Sequence, residues 1–168
     1  RLSRLWGHPS KRKFPRRRQS YRAHLCAGLD GLWNLLRFPE GNAFLSEWMI
    51  TNESRDGYSL MHMSGETESL RVCDIVALKA IGEHAEAVPA WHVCIIRWAI
   101  SENPEHVELG LELLAATATA AEIAQPFDLG NKNGKIAVLI LPETPPLRPN
   151  QSLVLPPVQQ VYQGCHFI

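Results

Sequence analysis

The sequence predicts a mainly β fold: a small six-stranded antiparallel β-barrel with short helices and a C-terminal β-rich extension. Three observations lead there. His106 to Leu114 alternates, with Val107, Leu109, Leu111 and Leu113 on one face and His106, Glu108, Gly110 and Glu112 on the other. That period of two marks a strand with one buried face. Five further runs of strand character are joined by short turn signals, the pattern of hairpins. Short hairpin-connected strands favour closure into a barrel, because closure removes the unpaired sheet edges.

The first strand is expected over Ala23 to Leu29, directly after an arginine-dense segment. Asp30 to Arg37 follows as a short helix, with Leu32, Trp33, Leu35 and Leu36 covering one barrel end and Pro39 as its stop. Trp48 and Ile50 lie on the next strand, and Tyr58 to Met63 on its hairpin partner, with Asn52 to Gly57 between them. Val72 to Lys79 supplies a further strand. Trp91 to Ile100 places Cys94, Ile96, Trp98 and Ile100 on one side, and Asn103-Pro104 turns the chain into the His106 strand. Ala115 to Gln125 is Ala-rich and reads as a second helix ending before Pro126, against the weaker helix propensity of its threonines.

Beyond Pro126 the texture changes. Asn131–Gly134 is a turn, and Ile136 to Leu141 is apolar on both faces, which predicts a buried strand. Pro142, Pro145, Pro146 and Pro149 cluster, and Leu153-Val154-Leu155 and the terminal stretch are candidates for more strands. Residues 1–16 are therefore a basic arm, 17–125 the barrel domain, and 126–168 a Pro-rich β extension or the start of a further domain.

At 168 residues, 45% apolar and 20% charged, the chain has the make-up of a globular domain with one good core. No apolar run approaches the roughly 20 residues needed to span a bilayer. The basic start leads into Pro and more Arg instead of a secretory apolar stretch. A chain that opens on Arg and closes on Cys165-His166-Phe167-Ile168 is expected to be a piece of a longer protein. The four cysteines show no CxxC spacing and sit in apolar settings, so buried free thiols in the reducing cytoplasm are expected. The zero net charge hides an asymmetry. Residues 1–29 carry nine Lys or Arg and no acid, while residues 30–168 carry eight basic and seventeen acidic residues, a net of minus nine. Positive charge gathered in one arm calls for an anionic partner.

Two short motifs sharpen that expectation. Arg18-Gln19-Ser20-Tyr21-Arg22 runs straight into the first strand, preceded by Arg17. Asn52-Glu53-Ser54-Arg55-Asp56-Gly57 forms a polar turn about thirty residues later. Guanidinium groups bind phosphate through a planar fork and stack on purines. Asn and Ser add short-range donors and acceptors, and Gly permits a sharp turn or a close backbone approach. Together they suit a small, flat, multiply charged molecule such as a nucleotide.

These motifs resemble those of the PilZ family, bacterial domains that bind cyclic di-GMP. The family pattern is Arg-x-x-x-Arg before the first strand, then (Asp/Asn)-x-Ser-x-x-Gly inside the barrel. The likeness extends through Leu70–Val76, Ile96-Arg97-Trp98 and Leu109–Glu112, covering roughly residues 17–115. A second Arg-x-x-x-Arg, Arg12-Lys13-Phe14-Pro15-Arg16, leaves two candidate pairs; Arg18 and Arg22 are preferred because they abut the first strand. Cys73 stands at a turn position where relatives often have Gly.

The resemblance implies a cyclic di-GMP sensor without catalysis or a resident cofactor, with Arg17, Arg18, Arg22, Asn52, Ser54 and Gly57 as its ligand site. Arg17, Arg18 and Arg22 would pair with phosphate and with guanine O6 and N7, or stack on the bases. Mutual repulsion would keep the arm mobile until ligand orders it, and the output would pass to another domain or protein. A membrane partner is not expected. Other readings stay open. The Asn52–Gly57 turn could be a plain hairpin. A basic arm on a barrel could track single-stranded nucleic acid, although the acidic remainder opposes a polyanion. The barrel could also be a PilZ-like protein-interaction module. His24-x-Cys26 and His92-x-Cys94 place soft ligands in pairs without a neighbouring second pair, which makes a weak zinc signal. No nucleophile elbow supports a hydrolase.

Overall fold

The structure, a computed structural model, describes residues 14–41, 44–124, 134–143, 145–146 and 148–156. Arg12, Lys13, most of the Asn131–Gly134 turn and the terminal stretch lie outside the described residues. The chain runs β1 Arg17–Ala27, α1 Leu29–Arg37, β2 Leu45–Ser54, β3 Gly57–Ser64 and β4 Ile75–Ala80. A 3₁₀ turn over Gly82–Ala87 precedes β5 His92–Asn103 and β6 His106–Ala115, then β7 Thr119–Ala124, β8 Lys135–Leu141 and β9 Ser152–Val154. Strands β1 to β6 close into an antiparallel barrel in the order β1-β2-β3-β6-β5-β4.

The interior follows from the alternation. Val107, Leu109 and Leu111 of β6 join Trp48, Ile50, Leu60, Leu78 and Ile96 in one buried cluster, and Leu113 packs against it. Trp48 has no exposed surface, and its indole Nε1 donates to Ser46 Oγ at 2.7 Å, so the buried donor is satisfied. The β5–β6 hairpin turns at Pro104-Glu105 as the Asn103-Pro104 signal predicts.

Five expectations need correction. First, the second helix expected from Ala115 is not formed among the described residues: Thr119–Ala124 is β7, paired antiparallel with β8 from Thr119↔Ile140 to Ala124↔Lys135. Alanine's helix preference is a fraction of a kcal/mol per residue, and pairing to a buried apolar strand overrides it. Second, the helix does not cap a barrel end. Leu32 is buried, and Leu29, Trp33, Leu35 and Leu36 pack with Cys26, Ala77, Val93 and Ala115 from the outside of the barrel and Leu139, Leu141 and Val154 from the β7-β8-β9 sheet. The extension therefore shares this second core with the barrel wall. Third, β4 begins at Ile75, not Val72. The preceding turn holds Cys73 at φ 77°, a left-handed conformation that favours Gly. Fourth, Trp98 and Ile100 do not share a side with Cys94 and Ile96. Ile96 pairs with Leu111 and Trp98 with Gly110, so β5 advances two residues while β6 retreats one. The extra residue at Arg97 is a β-bulge that turns Trp98 outward, onto the bare face of Gly110. Fifth, β1 begins at Arg17, six residues before Ala23, so Arg17, Arg18 and Arg22 lie within the first barrel strand and not all ahead of it.

Candidate functional site

The two motifs meet because β1 and β2 are neighbours. Arg18 pairs with Asn52, Arg17 with Glu53 and Arg22 with Met49. Direct cross-strand partners share a face of the sheet. A straight count from the inward Trp48 and Ile50 would turn Asn52 and Ser54 inward as well. Instead Ile50 pairs with Leu60 and Asn52 with Ser59, so β2 spends two residues where β3 spends one. This bulge at Thr51 reverses the alternation. Tyr58 and Leu60 face the core, so Ser59, Asn52 and Ser54 lie on the outer face, beside Arg18.

Each proposed residue then has a definite place. Arg18 and Arg22 are exposed on the outer face, and Arg22 Nη1 lies 3.2 Å from Glu47 Oε1. Arg17 sits across from Glu53 at the mouth of the barrel, where a cleft of about 730 Å³ is lined by Arg16, Arg17, Glu53, Ser54, Arg55 and Tyr58 among others. Ser54 Oγ donates to Asp56 Oδ1 at 2.5 Å, so the two-residue turn is held by its own side chains. Gly57 pairs with Glu112 of β6, and a Cβ there would lie 1.9 Å from Leu111 O. The glycine is needed for the close approach of two strands; its φ is not in the left-handed region.

Arg16 and Glu53 stand outside the six site residues expected from sequence, yet both are engaged here. Arg16 Nη1 donates to Ser59 Oγ at 3.1 Å, and Arg16 also lines a second cleft of about 160 Å³ with Ser54, Gly57, Arg97, Trp98 and Gly110. Its membership of the upstream Arg-x-x-x-Arg was the available signal. Arg97, half-exposed, reaches Glu112 Oε2 at 2.5 Å, and that bond raises its pKa. Nothing in a linear sequence announces Glu53, since its partners are more than thirty residues away. Among the described residues no three His, Cys, Asp or Glu are grouped to hold a metal, and Cys26, Cys73 and Cys94 are free thiols.

Under the larger cleft lies a row of polar groups within the barrel. Tyr58 Oη is 2.9 Å from His92 Nδ1. Burial raises the pKa of the Tyr58 phenol and lowers that of His92, so a neutral phenol faces a neutral imidazole. Because the folded His92 pKa falls below 6.5, the unfolded chain takes up a proton at pH values where the barrel does not. The stability tied to this residue is complete above about pH 6.5 and is lost progressively as pH falls below it. Urea midpoints at about pH 7.5 and about pH 5.5 should converge in His92→Gln relative to the parent. An unchanged gap would remove His92 as its source.

Residues 40–120, slightly under half of the chain, match the family model described as "Cyclic-di-GMP receptor FimW, middle PilZ domain". The match takes in β2 to β6 with the Asn52–Gly57 turn and begins after β1, so Arg16, Arg17, Arg18 and Arg22 lie outside it. No curated protein matches the chain. No helix among the described residues is long and apolar enough to cross a membrane.

Proposed function

The chain carries a PilZ-type domain, and from that premise we propose that it is a receptor for cyclic di-GMP. The observation that carries the reading is the pairing of Arg18 with Asn52, which sets the two motifs side by side on one exposed face. Cyclic di-GMP has two phosphates and two guanines. Arg17, Arg18 and Arg22 supply bidentate donors for phosphate and for guanine O6 and N7. Asn52 and Ser54 read a base edge or a phosphate oxygen, and Gly57 keeps the turn tight against β6. Arg16, already bonded to Ser59, adds a further guanidinium on the outer face with Arg18 and Arg22.

The domain acts as a binding module in the cytoplasm, with no chemistry of its own, and passes its signal to another domain or protein. Ligand-induced ordering is assigned to the basic residues before Arg17, since β1 itself begins there. Two bound phosphates offset part of the repulsion among those like charges. Amide exchange should show protection gained before Arg17 and at Asn52–Gly57 on adding ligand, with Val93–Ile96 protected throughout.

Calorimetric titration with cyclic di-GMP, set against a single-stranded DNA oligomer, tests the assignment. Saturable heat with the dinucleotide alone is expected. No saturable binding up to about tens of micromolar, a free energy near −6 kcal/mol, would remove the receptor reading. Saturation by the oligomer alone would replace it with nucleic-acid binding.

A further inference from the structure

The two motifs interleave. On β1, Arg18 and Arg22 point outward, while Tyr21 points to the core. On β2, Asn52 and Ser54 point outward, while Glu53 lies on the inner side, across from Arg17. The intervening residues of one motif bond to the intervening residue of the other. Gln19 Nε2 donates to Glu53 Oε1 at 3.1 Å, and Tyr21 Oη donates to Glu53 Oε2 at 2.8 Å. Both oxygens of one carboxylate are thus engaged from the same stretch of β1. We propose that Glu53 is a positioning residue that clamps the Arg18–Arg22 segment from behind and so sets the outward aim of its arginines toward cyclic di-GMP.

The place of this clamp explains the need for it. The β1–β2 register shifts between Arg18 and Tyr21: β1 advances three residues where β2 retreats two. At such a bulge the ladder is locally disrupted, and the backbone alone defines the strand's direction poorly. The disruption falls inside the arginine motif. Two side-chain bonds to a single carboxylate span the gap, and hydrogen bonds to an ionised acceptor are shorter and stronger than neutral ones. Tyr21 is well suited as donor. It is 4% exposed, burial and Glu53 together hold its phenol above the ordinary range, and the His84 ring stacks on it at 5.9 Å.

A carboxylate beside Arg16, Arg17 and Arg55 would otherwise oppose an anionic ligand. Satisfied from behind by Gln19 and Tyr21, it is held on the inner side, away from Asn52, Ser54 and the guanidiniums of Arg18 and Arg22 on the outer face. The clamp itself is a property of the ligand-free barrel; its consequence for affinity rests on the receptor reading above.

Glu53→Leu removes both acceptors at similar bulk, Tyr21→Phe removes one donor, and Glu53→Gln keeps the shape and one acceptor. Two readouts separate the clamp from the ligand. In ligand-free protein, amide exchange at Gln19–Tyr21 should quicken by about tenfold or more in Glu53→Leu, with Val93–Ile96 unmoved. Cyclic di-GMP affinity should fall by about tenfold or more in the same variant, less in Tyr21→Phe, and recover in part in Glu53→Gln. The double variant Tyr21→Phe/Glu53→Leu should lose no more than Glu53→Leu alone, since the two groups act as one unit. Unchanged exchange at Gln19–Tyr21 overturns the clamp. Faster exchange with unchanged affinity overturns its positioning role. If the parent protein binds no cyclic di-GMP, the receptor reading and the positioning role both fall, and the exchange data alone still decide the clamp. Should Glu53→Leu fail to fold, Tyr21→Phe and Gln19→Leu carry both readouts.

Discussion

Replacing Gly57 by alanine is expected to destabilise the barrel by about 3 kcal/mol or more, at the upper end of what overpacking produces. The added Cβ would lie 1.9 Å from Leu111 O and 3.0 Å from Leu111 C, both backbone atoms of β6 that cannot swing aside. The tip of the β2–β3 hairpin must lift away. That breaks the bond from Leu113 N–H to Asp56 O, 2.8 Å long, and moves Ser54, which is tied to Asp56. Loss of stability and loss of cyclic di-GMP binding should therefore appear together. Urea unfolding measures the first and calorimetry the second. A stability change under about 1 kcal/mol would overturn the close apposition of β3 and β6 at Gly57.

Arg18→Ala combined with Arg22→Ala should weaken cyclic di-GMP binding by about 3 kcal/mol or more, each charged hydrogen bond contributing about 1.5–3 kcal/mol. The fold should hardly notice. Both side chains are exposed, and the Arg22–Glu47 pair lies at a half-exposed site where such pairs contribute at most about 1 kcal/mol. Replacing Arg12 or Lys13 should cost less affinity and respond more to salt, as peripheral charges do. Arg16→Ala is the informative single change, because Arg16 reaches Ser59 on the same face. If it abolishes binding while the Arg18/Arg22 double variant still binds, the working guanidiniums are those of the upstream pair.

Much of this was legible in the linear order of residues. Val107, Leu109 and Leu111 announce their strand and its buried face, since period-two alternation is a local property of an extended chain. Asn103-Pro104 announces the hairpin for a similar reason. The arginine and Asn-x-Ser-x-x-Gly motifs were legible beside strand-like runs, but that they share neighbouring strands comes only from the β1–β2 pairing. The Ala115–Gln125 helix failed because alanine's intrinsic preference outweighed the opposing threonines among the local cues. The partner that makes Thr119–Ala124 a strand, Lys135–Leu141, lies beyond the reach of that cue.

The aim of the site's side chains is a different matter. Residue types and spacing identify guanidiniums beside a strand and an amide and a hydroxyl in a glycine turn. Whether Asn52 and Ser54 face outward depends on one extra residue at Thr51, and the outward Trp98 on another at Arg97. Such bulges arise from matching each strand to its neighbours around a closed barrel, a condition no single strand contains. The Gln19–Glu53–Tyr21 bonds are of the same kind, joining residues 32 to 34 positions apart only after the register between β1 and β2 is set. Local pattern therefore chooses the strands and the chemistry they carry, while barrel closure decides which face that chemistry occupies.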